Sequence, residues 1–262
     1  MINYKKVLEI EHLSVSFGTG KNAEKVVDDV SLYVEKGKIT VLIGESGCGK
    51  SVTASCIMNL LDPNGHIRSG KICVNGKDVR SLNKRQLVDF RGKDVGMIFQ
   101  NASEALNPLL TIETLIAEGI LAHKKISKKE AYEESLKLLK KMRLSSPESI
   151  LKKYPYELSG GMCQRIMIAI AMAMQPPLLI ADEPTTALDV TIQANILNEI
   201  CEMAKMSQTG VLFITHDLGI VAEIADYVYV MRNGKIVEQG DAYSIFQNPR
   251  HEYTKELIGS VL

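Results

Sequence analysis

Apolar and polar positions alternate over Val7–Phe17 and again over Val26–Val34, the two-residue period of half-buried strands. After the turn Glu35–Lys38, the unbroken apolar run Ile39–Ile43 reads as a strand covered on both faces. A helix is predicted from Lys50 to Leu61, stopped by Asp62-Pro63. Lys71–Val79 reads as a hairpin centred on Asn75-Gly76, a strong short turn signal, and Val95–Phe99 as a short strand leading to Gln100. The pattern then changes. Residues 101–175 carry helical periods over 111–124, 128–143 and 159–174 and no convincing strand. Beyond them, strands at 178–182, 211–215, 227–231 and 235–238 alternate with helices at 190–206 and 218–225, and Asn233-Gly234 turns the last hairpin. This order predicts an α/β core, residues 1–100 and 176–262, interrupted by a helical insertion over 101–175.

A chain of 262 residues can bury a sizeable core in one domain with a subdomain. Its 31 basic and 31 acidic residues cancel, so bulk charge gives no support to nucleic-acid binding. The N-terminus, Met1–Lys6, lacks a signal-peptide apolar core. The longest apolar run, Ile166–Met174, falls well short of the ~20 residues of a membrane span, so a buried helix and a chain soluble by itself are expected. Five scattered cysteines with no C-x-x-C pair suggest reduced thiols. Cys48 and Cys163 stand inside the motifs below and read as small space-fillers, with a redox role as the alternative.

Gly44–Ser51 (GESGCGKS) fits the phosphate-loop pattern G-x-x-x-x-G-K-[ST], after an apolar strand and before a helix, as that motif requires. Its glycines let backbone N–H groups of Gly44, Glu45, Ser46, Gly47, Cys48, Gly49 and on to Val52 turn toward phosphates, and the helix adds its positive end. Lys50 is placed to bridge the outer phosphates of ATP and the Ser51 hydroxyl to ligate Mg²⁺. The bland alternative is a Gly-rich strand–helix turn with an accidental Lys-Ser. Leu178–Glu183 is a buried-strand run ending in two carboxylates: Asp182 for Mg²⁺ through water, Glu183 to orient and polarise an attacking water. A helix-capping Asp-Glu pair before Pro184 is the alternative there. Between these elements, Leu158, Ser159, Gly160, Gly161, Met162, Cys163 and Gln164 form a second Gly-rich stretch with no job in a self-sufficient ATPase. It becomes useful if it faces phosphates bound by another chain.

Gly44–Ser51, Gln100, Leu158–Gln164, Asp182-Glu183, Thr186–Asp189 and Thr215-His216-Asp217, in this order, resemble the ATP-binding cassette (ABC) ATPases over nearly the whole chain. The resemblance implies one ABC ATPase domain over residues 1–262: a P-loop NTPase cassette with a RecA-like core, an antiparallel β subdomain and an inserted α-helical subdomain. It implies a head-to-tail dimer with ATP in the interface and the 158–164 signature on the γ-phosphate held by the opposite chain. It assigns Glu183, His216 and Gln100 to catalysis, Ser51, Gln100 and Asp182 to Mg²⁺, and Asp189 to dimer contact. Phe17 stands where the family stacks an aromatic on adenine, with a core Phe as the alternative. Gln100 would sense Mg²⁺ and γ-phosphate and swing the helical subdomain, whose groove receives the coupling helices of membrane subunits.

Phe99–Pro108, Ala181–Ala194 and Phe246–Leu257 resemble the oligopeptide/dipeptide/nickel importer branch, and Met162 resembles the first, D-type, of the two ATPases such importers pair. The implied partners are a second ABC ATPase (a different paralogue or the chain itself), two integral membrane permeases and, indirectly, an extracellular solute-binding protein. No nucleic acid is implied. The implied location is the cytoplasmic membrane face, held peripherally. Many peptide-importing relatives run on past this point with a cysteine cluster, whereas here no cysteine follows Cys201, which favours nickel or metal-chelate cargo over peptides. Competing readings fit less well. Translation factors carry two cassettes, repair members place a long coiled coil where only 58 residues separate Gln100 from Ser159, and exporters fuse membrane spans to the cassette. A non-hydrolysing regulatory cassette would lack the pair Glu183 and His216.

Overall fold

The computed structural model describes residues 6–20, 23–186 and 189–259. Alternation in the N-terminal strands builds a four-stranded antiparallel sheet. β1 (Lys6–Phe17) pairs on one side with β2 (Glu24–Glu35) and on the other with β4 (Gly65–Val74), and β5 (Lys77–Asp78) completes the order β2-β1-β4-β5. Leu8, Ile10, Leu13 and Val15 of β1 are buried with Val30 and Ile72, their partners across the ladders. The expected hairpin at 71–79 is the tip of this longer ladder. Its first residues, Gly65–Gly70, lack apolar alternation and owe their strand form to pairing with β1.

The second sheet has the order β10-β9-β3-β8-β7-β6. β6 (Val95–Ile98), β7 (Leu178–Asp182), β8 (Gly210–Thr215), β3 (Ile39–Ile43) and β9 (Tyr227–Arg232) run parallel, and β10 (Lys235–Asp241) returns antiparallel on β9. Every residue of β7 and β8 is buried, which is why they read as unbroken apolar runs. The two-residue period divides them between two cores. Val41, Ile43, Leu179, Ala181, Val211 and Phe213 enter one, with the long helices, while Leu42, Leu178, Ile180, Leu212 and Ile214 enter the other, with β1 and β2.

α1 (Lys50–Ile57) is shorter than the expected 50–61. Asn59 adopts a left-handed backbone (φ 50°), and the Arg91 guanidinium donates to the carbonyls of Met58 and Asn59, so the chain leaves the helix before Asp62-Pro63 is reached. α2 (Lys84–Lys93), not expected from periodicity, buries only Phe90 and depends on a reciprocal cap between Asn83 and Gln86. Between β6 and β7 all regular structure is helical: α3 (Ala102–Ala105), α4 (Ile112–His123), α5 (Lys128–Lys141), α6 (Pro147–Ile150) and α7 (Gly160–Ala171). α7 stops at Ala171, three residues before the expected end, because Gln175 takes a left-handed φ of 49° ahead of Pro176-Pro177. The remaining helices are α8 (Val190–Ser207), α9 (Leu218–Ile224), α10 (Ala242–Gln247) and α11 (Glu252–Gly259), and β10 runs three residues beyond the expected 238. No helix among the described residues is long and apolar enough to cross a membrane.

One topological fact positions the site. α7 is the crossover helix between the adjacent parallel strands β6 and β7, so it runs against the strand direction. Its N-terminus therefore lies at the sheet edge where β3, β6, β7 and β8 end, the edge that carries Gly44, Gln100, Glu183 and His216.

Candidate functional site

The loop after β3 closes on the end of β9. A side-chain carbon at Gly44 would lie 2.1 Å from the Met231 carbonyl oxygen, and one at Gly49 (φ 110°) would lie 2.8 Å from that of Val26. Only glycine fits either place. Gly49 caps α1 without a side-chain acceptor, leaving the first-turn N–H groups open to an anion. Lys50 is buried, its ammonium donating to the carbonyls of Gly44 (2.8 Å) and Glu45 (2.9 Å). Cys48 Sγ stands 3.9 Å from that ammonium, and burial pushes its thiol up. Burial raises Cys163 as well.

A cavity of about 160 Å³ opens in front of this loop. Ser46, Gly47, Gly49, Lys50, Ser51 and Val52 line it together with Gln100 and Glu183, so residues far apart in the chain share one cleft. Val26, at the near end of β2, lines it too, and nothing in the alternation of β2 singles that valine out. Phe17 is not among the lining residues. It is half-buried and packs on the smaller sheet's core, its ring edge near Gly65. Gly44, Glu45 and Cys48 form the back of the loop.

Ser51 Oγ donates to Asp182 Oδ1 at 3.1 Å, joining the start of α1 to the end of β7. Burial pushes the Asp182 carboxyl up, against the Ser51 hydrogen bond, which draws it down, and the neighbouring Glu183 charge adds to the rise. The two groups are hard oxygen donors, a set that suits Mg²⁺ completed by water and phosphate. Among the described residues no cluster of three or more His, Cys, Asp or Glu side chains forms a protein-only metal cage.

Glu183 is gripped from three directions. Gln100 Nε2 (3.0 Å) and Thr186 Oγ1 (3.1 Å) donate to its Oε2, and His216 Nδ1 lies 3.1 Å from Oε1. These partners come from the ends of β6 and β8 and from the loop that follows Glu183 itself. Its backbone is left-handed (φ 46°), a cost a glutamate bears only where its surroundings impose it. The Glu183 N–H donates to the Ile214 carbonyl and supplies that constraint. A fixed, half-buried carboxylate facing a phosphate cleft can orient and polarise a water. Thr186, quoted in sequence only as part of a motif, is the partner that periodicity and spacing did not reveal.

The signature stretch lies apart from this cleft. Ser159 caps α7, accepting from the Met162 N–H at 3.4 Å, and Ser159 and Gly160 are exposed while Leu158 and Met162 are half-buried. Gly161 is buried, and a side-chain carbon there would come 3.0 Å from Ile192 of α8. Gly160 and Gln164 share a separate 40 Å³ cavity with Gln100 and Pro184. Arg165, one residue on, pairs with Glu199 of α8 (3.1 Å), a glutamate only 3% exposed. Asp189 caps α8 through the Ile192 N–H (3.0 Å) and is exposed, while residues 187 and 188 lie outside the described residues. Asp217 caps α9 and accepts from Gln193 of α8.

A family profile described as "ABC transporter" matches residues 27–186. The dipeptide transport ATP-binding protein DppD of Bacillus subtilis is 47% identical over 98% of this chain and 77% of its own length. The oligopeptide transport ATP-binding protein OppD of the same organism is 44% identical over all of this chain and 73% of its own. A solved structure described as an ATP-binding subunit of an ABC transporter superposes with a TM-score of 0.76 at 28% identity, covering 97% of this chain and 99% of that one. The post-hydrolysis dimer of the cassette MJ0796, bound to ADP and Pi, has a TM-score of 0.79 at 24% identity and shares the fold. The chain belongs to the ABC transporter family, and its fold is that of the ABC ATPase cassette.

Proposed function

We propose that this chain is the ATP-hydrolysing subunit of an ABC importer for peptides. The observation that carries the reading is the three-way grip on Glu183 at the mouth of the phosphate cleft, formed by Gln100, Thr186 and His216. Lys50 and the loop N–H groups bind the ATP phosphates. Glu183 orients and polarises the attacking water, and His216 holds the carboxylate and reaches toward the γ-phosphate. Ser51 and Asp182 would hold Mg²⁺, with Gln100 nearby, and the ion supplies positive charge to the phosphate oxygens.

Ser159, Gly160 and Gly161 act on ATP held by a second cassette, which is why Ser159 and Gly160 stand exposed at a helix N-terminus outside their own cleft. Asp189 belongs to the same interface. The helical insertion, 101–175, forms a subdomain apart from the core, 1–100 and 176–262, and Gln100 links its position to the state of the cleft. Closure of the two cassettes drives two membrane permeases, fed by an extracellular solute-binding protein, from the cytoplasmic face of the membrane.

Peptide cargo is favoured by the relatives, named for dipeptide and oligopeptide transport. The nickel or metal-chelate reading is the second choice. Uptake in cells lacking this chain, comparing a labelled dipeptide with free and chelated nickel, tests the assignment. Loss of dipeptide uptake alone is expected, and loss of nickel uptake alone would replace peptide with metal.

A further inference from the structure

The back of the phosphate loop is held by the C-terminal helix. The phenol oxygen of Tyr253, on α11, accepts the backbone N–H of Glu45 at 3.0 Å. The other face of the same residue is engaged as well, since the Glu45 carbonyl accepts from the Lys50 ammonium at 2.9 Å. One residue thus stands between the C-terminal helix and the lysine of the phosphate site.

Tyr253 is 1% exposed, and its ring lies 4.5 Å from the guanidinium of Arg232, at the end of β9, the strand on which Gly44 rests. The segment that delivers this tyrosine is itself tied down. Glu238 of β10 accepts the N–H groups of Arg250 (2.8 Å) and His251 (3.0 Å), and His251 Nδ1 accepts the N–H of Tyr253 (3.1 Å). The stretch Phe246–Leu257, notable in the sequence only as a resemblance, therefore has a physical role beside the nucleotide site.

We propose that Tyr253 is a positioning residue for ATP binding, acting through the Glu45 peptide to set the back of the phosphate loop and the approach of Lys50. A loop rich in glycine loses much backbone freedom when it grips phosphate, and a fixed Glu45 N–H removes part of that cost before ATP arrives. Tyr253 does not line the phosphate cleft, so its removal weakens binding more than the chemical step. The proposal rests on the ATPase reading above.

The test is Tyr253→Phe in the full chain, which keeps the ring over Arg232 and deletes only the acceptor. Amide exchange at Glu45 should speed up, and KM for ATP should rise about five-fold, the weight of one hydrogen bond, with kcat changed less than about two-fold. A KM equal to that of the unmodified protein overturns the proposal, whatever happens to the melting temperature. Should Tyr253→Phe fail to fold, Glu238→Gln loosens the same segment from a distance and should raise KM in the same direction, and an unchanged KM there is equally fatal. Lys50→Ala is the control. If it too leaves ATP affinity intact, the phosphate-loop reading falls; if it abolishes binding while Tyr253→Phe does nothing, the proposal falls alone.

Discussion

The phosphate loop and the signature end of α7 are both glycine-rich, both sit at a helix N-terminus, and both lie at the same edge of the sheet, yet they are built oppositely. The loop is braced by Met231, Val26 and Tyr253, and Gly47 and Gly49 face one shared cleft. The signature end presents Ser159 and Gly160 to solvent, with one long capping hydrogen bond and only a 40 Å³ cavity beside Gly160. The first is a complete half-site. The second, on the function proposed above, completes the half-site of another cassette.

The largest expected effects separate these two regions. Lys50→Ala should abolish ATP binding by the single chain, whereas Ser159→Arg should leave that binding unchanged and stop hydrolysis only once cassettes pair. Nucleotide titration against hydrolysis at high protein concentration checks both, and equal damage to binding would dissolve the contrast. Next, Glu183→Gln should still bind ATP and accumulate closed dimers, with hydrolysis reduced about a hundred- to ten-thousand-fold, the range for loss of a positioned base. Normal turnover would remove Glu183 from the mechanism.

A smaller effect concerns how the signature helix is anchored. Arg165→Ala leaves Glu199 buried and unpaired, so denaturant unfolding should report a loss of about 3 kcal/mol. A change below about 0.5 kcal/mol would mean that the pair does nothing for α7.

The smallest effect is expected at Asp182. Its folded-state pKa is raised, so its contribution to stability is complete below the ordinary carboxylate value of 3.8 and is lost as pH rises through the raised pKa. Without Mg²⁺, Asp182→Asn should therefore melt higher than the unmodified protein near pH 7, and the gap should close as pH falls toward 4. Melting curves across that interval decide it, and a variant less stable at neutral pH reverses the sign.

The sequence made the loop, the buried strands and the acidic strand end legible because each is a local pattern: Gly44–Ser51 in a strand–helix setting, β7 as an apolar run closed by Asp182 and Glu183. Contacts between segments distant in the chain were not legible. The early end of α1 depends on Arg91, some thirty residues on. The bond from Tyr253 to Glu45 spans two hundred residues and leaves no periodic trace in either segment. Helices α2 and α10 were missed for a related reason: each buries a single residue, so the hydrophobic period that reveals a helix is absent and only the caps at Asn83 and Asp241 signal them.

The left-handed backbone at Glu183 also bears on how this cassette can change over generations. At a φ of 46° a glutamate is disfavoured relative to glycine or asparagine, so substitution to either relaxes the backbone as it removes the carboxylate. For most residues of an enzyme, losing activity and losing stability go together, and selection against misfolded protein guards the site indirectly. At Glu183 the two are opposed. If Glu183 orients the attacking water as proposed, a descendant that keeps the fold and forfeits the chemistry lies one backbone-relaxing substitution away, and demand for hydrolysis is what keeps the glutamate in place.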